Sequence, residues 1–398
     1  MILLSGAELV LPDRVTGPST VVIDGGRIVD IVSGTRAGGP RDVSVDVSGR
    51  LAVPGFIDVH VHGVEGYDTL VQADAVAQMA ARLPRYGVTA FCPTTIACTP
   101  GELRSALAAI GRARTVPAKA SARVLPAHLE SNFISPEFAG AQPRERLRAP
   151  RGASERDAEF TAQDILAVIE AAAADVGIVT LAPELEGAID LIASLVARGH
   201  RVAIGHTAAT YEQARAAIEA GARHATHLYN RMTPLTHRSP GVVGAVLESD
   251  EVAAELIADA VHVHPAAMRA AIAAKGPSKV MGITDGTAGS GLPPGSNATL
   301  GGRPITVGDV ARLADGTLAG STLTMDRAFA RLVTVVNLSL GDAATLTSTT
   351  AARELGLAGH GVIAPGAVAD LVLLDAGYGV AQTWVGGELA FSRDRLSS

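Results

Sequence analysis

Short apolar runs separated by amphipathic stretches organise most of this chain. Between residues 51 and 285, eight runs read as β-strands: 51–60, 87–95, 123–130, 176–182, 201–206, 223–227, 252–258 and 278–285. Near-continuous apolar composition is what a strand covered on both faces requires. Most of these runs are separated by helical patterns such as DAVAQMAARLPRYG, AIDLIASLVARG and TYEQARAAIEAGA, the last two ending at a glycine-containing stop. Eightfold alternation of this kind predicts an α/β chain built on a (β/α)8, TIM-like barrel over residues 49–345.

The pattern changes at both ends. VVIDGGRIVDIV near the N-terminus and ADLVLLDAGYGVAQTWVGGELAF near the C-terminus read as short strands with turns, and DGG suits a two-residue hairpin. Each segment is too short to bury a core alone, so residues 1–48 and 346–398 are expected to form one small β domain together. The glycine-rich stretch 285–320 reads as a long loop or hairpin after the eighth strand, a place where barrels carry function.

Composition narrows the partners. With 47% hydrophobic and 18% charged residues over 398 positions the chain is not disordered, and its 43 glycines with only 3% aromatics suit many turns around an aliphatic core. A net charge of −7 offers no basic surface for nucleic acid or an anionic membrane, which leaves a small molecule as the expected partner. The N-terminus MILLSGAELVLPDRV has no basic leader and reads as a first strand. No apolar segment reaches membrane-spanning length, so a cytoplasmic location is expected. Cys92 and Cys98 fit neither a redox pair nor a zinc knuckle and read as packed thiols.

Side chains alternate across a strand, so His60 and His62 in PGFIDVHVHG share one face at the end of an apolar run. Strand C-termini are where barrels place chemistry, and two neutral imidazoles there can chelate a divalent ion. Ligand-type residues recur at the ends of other predicted strands: Glu130 on the third, His206 on the fifth, His227 on the sixth and Asp285 on the eighth. Singly, each has a plainer reading: a helix cap for Glu130, packed core histidines for His206 and His227, an Asx turn for Asp285. Their common position points to one crater. Histidine with carboxylate suits Zn2+ or another first-row ion better than Mg2+ or Ca2+. The set exceeds what one tetrahedral site needs, so Glu130 is a candidate bridge between two ions. Asp285 is the candidate proton shuttle for water-dependent hydrolysis. His128, two residues before Glu130, is expected to orient a ligand.

PGFIDVHVHG, HLESNF, GHTAA, THLYNRM, IADAVHVHP, ITDGTAGSGLPPG, GTLAGSTLTM and GVIAPGAVADLVLLD occur in that order across residues 50 to 375. The ordered set resembles the N-acetylglucosamine-6-phosphate deacetylases of the amidohydrolase superfamily, metal-dependent barrels with a split β-sandwich. The resemblance implies removal of acetate from an N-acetylated amino sugar phosphate. Glu130, His206 and His227 would hold the principal metal, Zn2+ being favoured, with one or two ions per subunit. His60 and His62 would hold the second, and Asp285 would act as base and then acid. It further implies that Asn230 helps hold the phosphate and that His262 contacts the sugar. Arg238 would reach the phosphate of a neighbouring subunit, which implies a homodimer. The plainer readings are a turn asparagine, a packed histidine and a solvated arginine.

The chain also departs from that family's pattern. Ser131 and Asn132 replace Gly-Pro after the metal-binding glutamate, and Phe138 and Ala139 replace a usually basic pair. Gln142 stands where many relatives have a histidine that polarises the acetamide carbonyl; it can donate a hydrogen bond but brings no charge. Arg231 stands where alanine is commoner and offers an extra cation for phosphate. These changes leave open a related N-acyl amino sugar phosphate, such as N-acetylgalactosamine 6-phosphate, and a non-catalytic sugar-phosphate-binding relative. His200, His224, His237, His264 and His360 have no matching metal role and are expected at the surface or behind the site.

Overall fold

The computed structural model describes residues 1–151 and 159–393. Eight parallel strands follow one another around a barrel: β1 Phe56–Val61, β2 Val88–Thr95, β3 Ala127–Glu130, β4 Val176–Leu181, β5 Arg201–Ile204, β6 His224–Ala225, β7 Ala253–Ile257 and β8 Val280–Ile283. Each pairs in parallel with the next, and a parallel bridge between Val61 and Gly286 closes the ring. At this seam the Asp285 N–H donates to the His60 carbonyl at 2.9 Å, and the His62 N–H to the Gly286 carbonyl at 2.7 Å. This is a (β/α)8 barrel.

Helices α1 Ala75–Arg82, α2 Pro100–Thr115, α3 Ala162–Ala171, α4 Ala188–Ala197, α5 Tyr211–Glu219, α6 Gly241–Glu248 and α7 Pro265–Lys275 lie between successive strands, and α8 Met325–Thr334 follows β8. Thr99 with Glu102, Thr161 with Asp164 and Thr210 with Gln213 form capping boxes that start α2, α3 and α5. In α8 the buried residues Met325, Ala328, Phe329 and Leu332 recur at i, i+3, i+4 and i+7, which turns one stripe toward the barrel.

Several predicted strands are shorter than their apolar runs. The run 51–60 divides at Gly55. Leu51–Pro54 pairs antiparallel with Leu371–Leu374 in the terminal sheet, while Phe56–Val61 enters the barrel. A Cβ on Gly55 would lie 2.3 Å from the Thr89 side chain, so the crossing point has room only for glycine. The run 123–130 is likewise split into Arg123–Val124 and Ala127–Glu130, separated by Leu125 and by Pro126, which has no N–H for a ladder. The runs ending at 206, 227 and 285 stop early because His206, His227 and Asp285 adopt φ of 47°, 31° and 50°, outside strand geometry.

The terminal segments build a mixed eight-stranded sheet ordered Glu388–Ser392, Val380–Val385, Leu371–Leu374, Leu51–Pro54, Ile2–Leu9, Ser19–Asp24 and Arg27–Ser33, with Val43–Asp46 also beside Ile2–Leu9. The register of Ile2–Leu9 shifts around Gly6, so that one strand serves two sheet halves. Leu4, Val21 and Ile23 from one half share a core with Ala52, Leu373 and Trp384 from the other. The DGG hairpin forms as expected, with Gly25 and Gly26 at φ 54° and 77°.

The expected boundaries shift with these contacts. Residues 51–54 belong to the terminal sheet rather than to the barrel. Leu346, Ala351 and Ala352 lie in the barrel's core, so the chain after residue 346 still serves the barrel before Leu371 resumes the sheet. Residues 152–158 and 394–398 of the expected domains lie outside the described residues. The stretch 285–320 is more ordered than a plain loop, since it carries a three-stranded meander of Asn297–Leu300, Arg303–Val307 and Ala311–Arg312. Among the described residues no helix is long and apolar enough to cross a membrane.

Asp370 ties the two layers together. Its Oδ2 accepts from Arg123 of the barrel at 2.5 Å and meets His360 Nδ1 at 2.9 Å, while Oδ1 accepts the Gly386 N–H at 2.7 Å. Burial opposes its charge, but His360, Arg123 and the Gly386 N–H outweigh that and lower its pKa. Asp370→Ala is expected to cost about 2–3 kcal/mol of stability at pH 7, as for a buried charged hydrogen-bonding group. Because its folded pKa is depressed, the contribution is present above the ordinary aspartate pKa and is lost as pH falls through the lowered value. Denaturant unfolding of both proteins from pH 7 down to acid checks this: the gap between them should close at the acid end.

Candidate metal centre and active site

The ligand-type residues converge at the C-terminal mouth of the barrel. Asp58 and His60 alternate inward on β1, and His62 follows one residue past the strand end. Glu130 is the last residue of β3, while His206, His227 and Asp285 sit just beyond β5, β6 and β8. The last three hold left-handed backbones, each costing on the order of 1–3 kcal/mol and kept only where neighbours over-determine it. Here the His206 carbonyl accepts the Ser135 N–H at 2.8 Å, the His227 carbonyl the Asn230 N–H at 3.0 Å and the Asp285 carbonyl the Ser321 N–H at 2.7 Å.

Two donor sets meet at Glu130. Its Oε1 lies 2.8 Å from His206 Nε2 and 2.9 Å from His227 Nε2, and those two nitrogens are 3.1 Å apart. On the other side His60 Nε2 and His62 Nε2 are 3.2 Å apart, and each faces Asp285 Oδ1, at 3.3 and 3.2 Å. Glu130 Oε2 is 3.6 Å from His62 Nε2, which places the carboxylate between the sets. Imidazole nitrogens this close cannot both carry protons pointing at each other, so each pair offers at least one lone pair. Both sets therefore fit a divalent ion, with nitrogen and oxygen donors of the kind Zn2+ accepts.

In the metal-free protein the same contacts set the charges of these groups. Burial pushes His60 down to about 3, so it is neutral at physiological pH, despite Asp285 and Glu130 nearby. Burial also opposes charge on His227, but the hydrogen bond and charge of Glu130 outweigh it and raise His227 to about 9. Glu130 is held well below the usual carboxylate range: burial works against it, and the His206 and His227 partners prevail. Burial works against the charge of Asp285 as well, and His60 and His62 outweigh it and lower its pKa. Both carboxylates are thus ionised acceptors.

Above the donors opens a cavity of about 380 Å³, within the usual range for small-ligand sites. Gln142, Asn230, Arg231 and His262 line it with His62, Glu130, His206, His227 and Asp285. His60 is fully buried beneath. Arg238 is exposed on the segment before α6 and does not line this cavity. His262 is oriented by Asp259, whose Oδ2 is 2.6 Å from its Nδ1, leaving Nε2 as the unengaged nitrogen. Leu300, from the meander after β8, and Leu318 close one wall.

The unusual residues at 131, 132 and 142 have defined work. Ser131 donates to the Thr180 carbonyl at 2.5 Å, and Asn132 donates to the Cys98 and Arg146 carbonyls, both at 2.8 Å, so they fasten the chain after β3. Neither lines the cavity. Gln142 donates from Nε2 to Glu130 Oε2 while its Oε1 accepts the Ala97 N–H at 2.8 Å. Its amide thus serves the carboxylate and not the open cavity. His128 stands behind the site as expected, its ring centroid 4.6 Å from that of His60 and its nitrogens on Val59 and Thr180. Of the remaining histidines, His200 and His224 are buried in the core and not at the surface, His237 is exposed, His264 caps α7 and His360 meets Asp370. Cys92 and Cys98 are buried and unpaired, and burial pushes Cys98 up to about 12.

Two functional carboxylates escape a reading by motif. Asp259 lies in IADAVHV, and Glu255 lies inside the apolar run VAAELIADA. The available signal for Glu255 was a charge in mid-strand, which a fully buried strand does not carry without a partner.

With this geometry the comparisons are direct. The model of the amidohydrolase family matches residues 51–390, and the chain belongs to that family of hydrolases. Among its relatives, N-acetylglucosamine-6-phosphate deacetylase of Bacillus subtilis (strain 168) is 37% identical over 396 residues, 98% of this chain and 97% of that one. N-acetylgalactosamine-6-phosphate deacetylase of Escherichia coli O157:H7 is 38% identical over 355 residues, 88% and 91% of the two chains. The solved N-acetyl-D-glucosamine-6-phosphate deacetylase of Mycobacterium smegmatis superposes with a TM-score of 0.86 at 32% identity, covering 98% of this chain and 100% of that one.

Removing the shared carboxylate should separate metal binding from folding. Glu130→Ala is expected to weaken metal retention on the order of a hundredfold or more while the far-UV circular dichroism stays native, since an outer partner alone is worth about 10–100-fold. Elemental analysis after dialysis against graded chelator checks it.

Proposed function

We propose that this chain hydrolyses N-acetylglucosamine 6-phosphate to glucosamine 6-phosphate and acetate. The observation that carries the reading is Asp285 Oδ1, an ionised acceptor at the floor of the cavity, set against both imidazoles of the His60/His62 pair with Glu130 beside them. The names of the relatives supply the substrate class. Glu130, His206 and His227 would hold the principal ion and His60, His62 and Asp285 a second, Zn2+ being the ion best matched to these donors. When bound there, a divalent ion acidifies water and polarises an acyl oxygen. Asp285 takes the proton from the attacking water as the new C–O bond forms. It returns that proton to the amide nitrogen as the C–N bond breaks, so acetate and the free amine leave and the carboxylate is restored.

The other residues bind and orient. His262, held by Asp259, presents Nε2 to a sugar hydroxyl. Asn230 and Arg231 on the cavity wall face the phosphate, and guanidinium geometry suits its oxygens. Arg238, exposed outside its own cavity, is assigned to the phosphate bound by a neighbouring subunit, and the enzyme to a homodimer. Gln142 holds Glu130 in place. Two unpaired thiols suit a reducing, cytoplasmic location.

A second reading, N-acetylgalactosamine 6-phosphate as substrate, has a specific support in the 38% identical relative that bears that name. A non-catalytic relative is disfavoured because the base and every donor are in place. Acetate release from the two sugar phosphates, and from both without phosphate, decides among these; no release from any of them under any divalent ion overturns hydrolysis. Asp285→Asn is expected to lower kcat about 10²–10⁴-fold, the usual range for a proton-transfer group, with a much smaller effect on KM. Steady-state kinetics of the metal-loaded variant check this, and an unchanged kcat removes Asp285 from the mechanism.

A further inference from the structure

Beneath the two donor sets lies a third group of ligand-type residues, His60 with His128 and Glu255, all fully buried, of which His128 and Glu255 have no part in the mechanism. Glu255 projects from the middle of β7 into the barrel, where its Oε2 is 2.9 Å from His60 Nδ1. The same oxygen accepts the backbone N–H of His227 at 3.3 Å. The backbone N–H takes one lone pair of this oxygen, and toward an ionised carboxylate, which only accepts, the facing nitrogen of His60 is the donor. Nδ1 therefore carries the proton of the neutral ring. Nε2, which points at His62 and Asp285, keeps its lone pair.

We propose that Glu255 is the positioning residue that sets the tautomer of His60 and so opens its Nε2 to the second metal ion; this rests on the two-ion reading above. The surroundings leave little else to do it. His128 Nδ1 is 3.0 Å from the Val59 carbonyl and 3.7 Å from Glu255 Oε1, too far to take over, and its Nε2 is engaged with Thr180 at 2.8 Å. Among the described residues Oε1 of Glu255 has no hydrogen-bond partner, so the hydrogen bonds that hold the carboxylate are those of Oε2 with His60 and His227. With that acceptor gone, the His60 proton is free to move to Nε2 and occlude the ligand position. The first donor set depends on Glu255 far less. The register of His227 is also held by the Leu228 N–H on the backbone carbonyl of residue 255, at 2.8 Å, a bond no side-chain change removes.

Metal-free protein titrated with Zn2+ against a competing chromophoric chelator tests this. Wild type is expected to show two binding steps, assigned by their loss in His206→Ala and in His60→Ala. Glu255→Leu, which offers no acceptor, should weaken the His60 step by about 10–100-fold, and Glu255→Gln, an acceptor of similar shape without charge, by less, with the His206 step essentially unchanged. An unaltered His60 step in both variants overturns the proposal, because a purely structural role would not separate the two sites. A single wild-type step that survives His60→Ala overturns the two-ion reading and the metal part of the proposal with it. The tautomer has its own measurement: nitrogen-15 shifts of labelled histidine in metal-free wild type, with His60 assigned by difference against His60→Ala, should place the proton on Nδ1. A proton on Nε2 overturns the proposal without any Glu255 variant having to fold.

Discussion

The closing seam of the barrel is the constraint on which the site depends. β1 and β8 meet only at their C-terminal ends, where Asp285 N–H reaches the His60 carbonyl and His62 N–H reaches that of Gly286. Asp58 reinforces the seam from inside. Its Oδ2 accepts from Thr284 Oγ1 at 2.5 Å, and its Oδ1 accepts the backbone N–H groups of His60 at 3.2 Å and Thr284 at 3.3 Å. Burial raises Asp58 to about 7, so the group works as a hydrogen-bond clamp even where its charge is poorly supported. If the ring stayed open at this point, residues 225 positions apart in the chain, His60 and Asp285, would have no reason to meet; the clamp turns an ordinary strand pairing into the approach of a base to two imidazoles.

The barrel interior near the seam is polar where most such barrels stack aliphatic layers. His60, His128, Thr180, Thr226 and Glu255 are all buried, and Thr180 links His128 to Thr226 at 2.8 and 2.7 Å. Unpaired, these groups would each destabilise the fold; paired, they fix ring orientations beneath the metal donors. The aliphatic packing that stabilises the protein lies instead between strands and the outer helices, as in the α8 stripe of Met325, Phe329 and Leu332. Stability and site geometry are thus divided between the outer and inner faces of the same strands.

That division explains what could be read in advance. His60 and His62 are legible because a spacing of two is a strand face, and Glu130, His206, His227 and Asp285 because each ends an apolar run. The apolar pattern alone could not locate Gly55, since the strands on either side of it are equally buried although they belong to different layers. Nor could it show that three of the ligands have left strand geometry, which goes with long-range hydrogen bonds from Ser135 and Ser321 and a local turn closed by Asn230. Glu255 was hidden for a related reason: its partners lie on β1 and after β6, distant in the chain, so nothing local marks the charge as paired. Gln142 was visible, but its engagement with Glu130 and Ala97 follows from the path of the segment after β3.

The two kinds of site residue also differ in what holds them. The metal donors rise from strand ends, backed by buried groups and seam hydrogen bonds, so their geometry is a property of the fold. Other residues of the cavity wall come from connections: Asn230 and Arg231 after β6, His262 after β7, and Leu300 in the meander after β8. Arg231 itself has φ of 51° and crowds Gly140, where a Cβ would lie 2.9 Å from its Nε, so its placement depends on two connections packing together. Chemistry carried by strands and selectivity carried by loops can change independently. It is consistent with this that relatives named for two different amino sugars stand at 37% and 38% identity to the same chain. Overall identity is summed over the whole chain, so it does not single out the few loop side chains on the cavity wall.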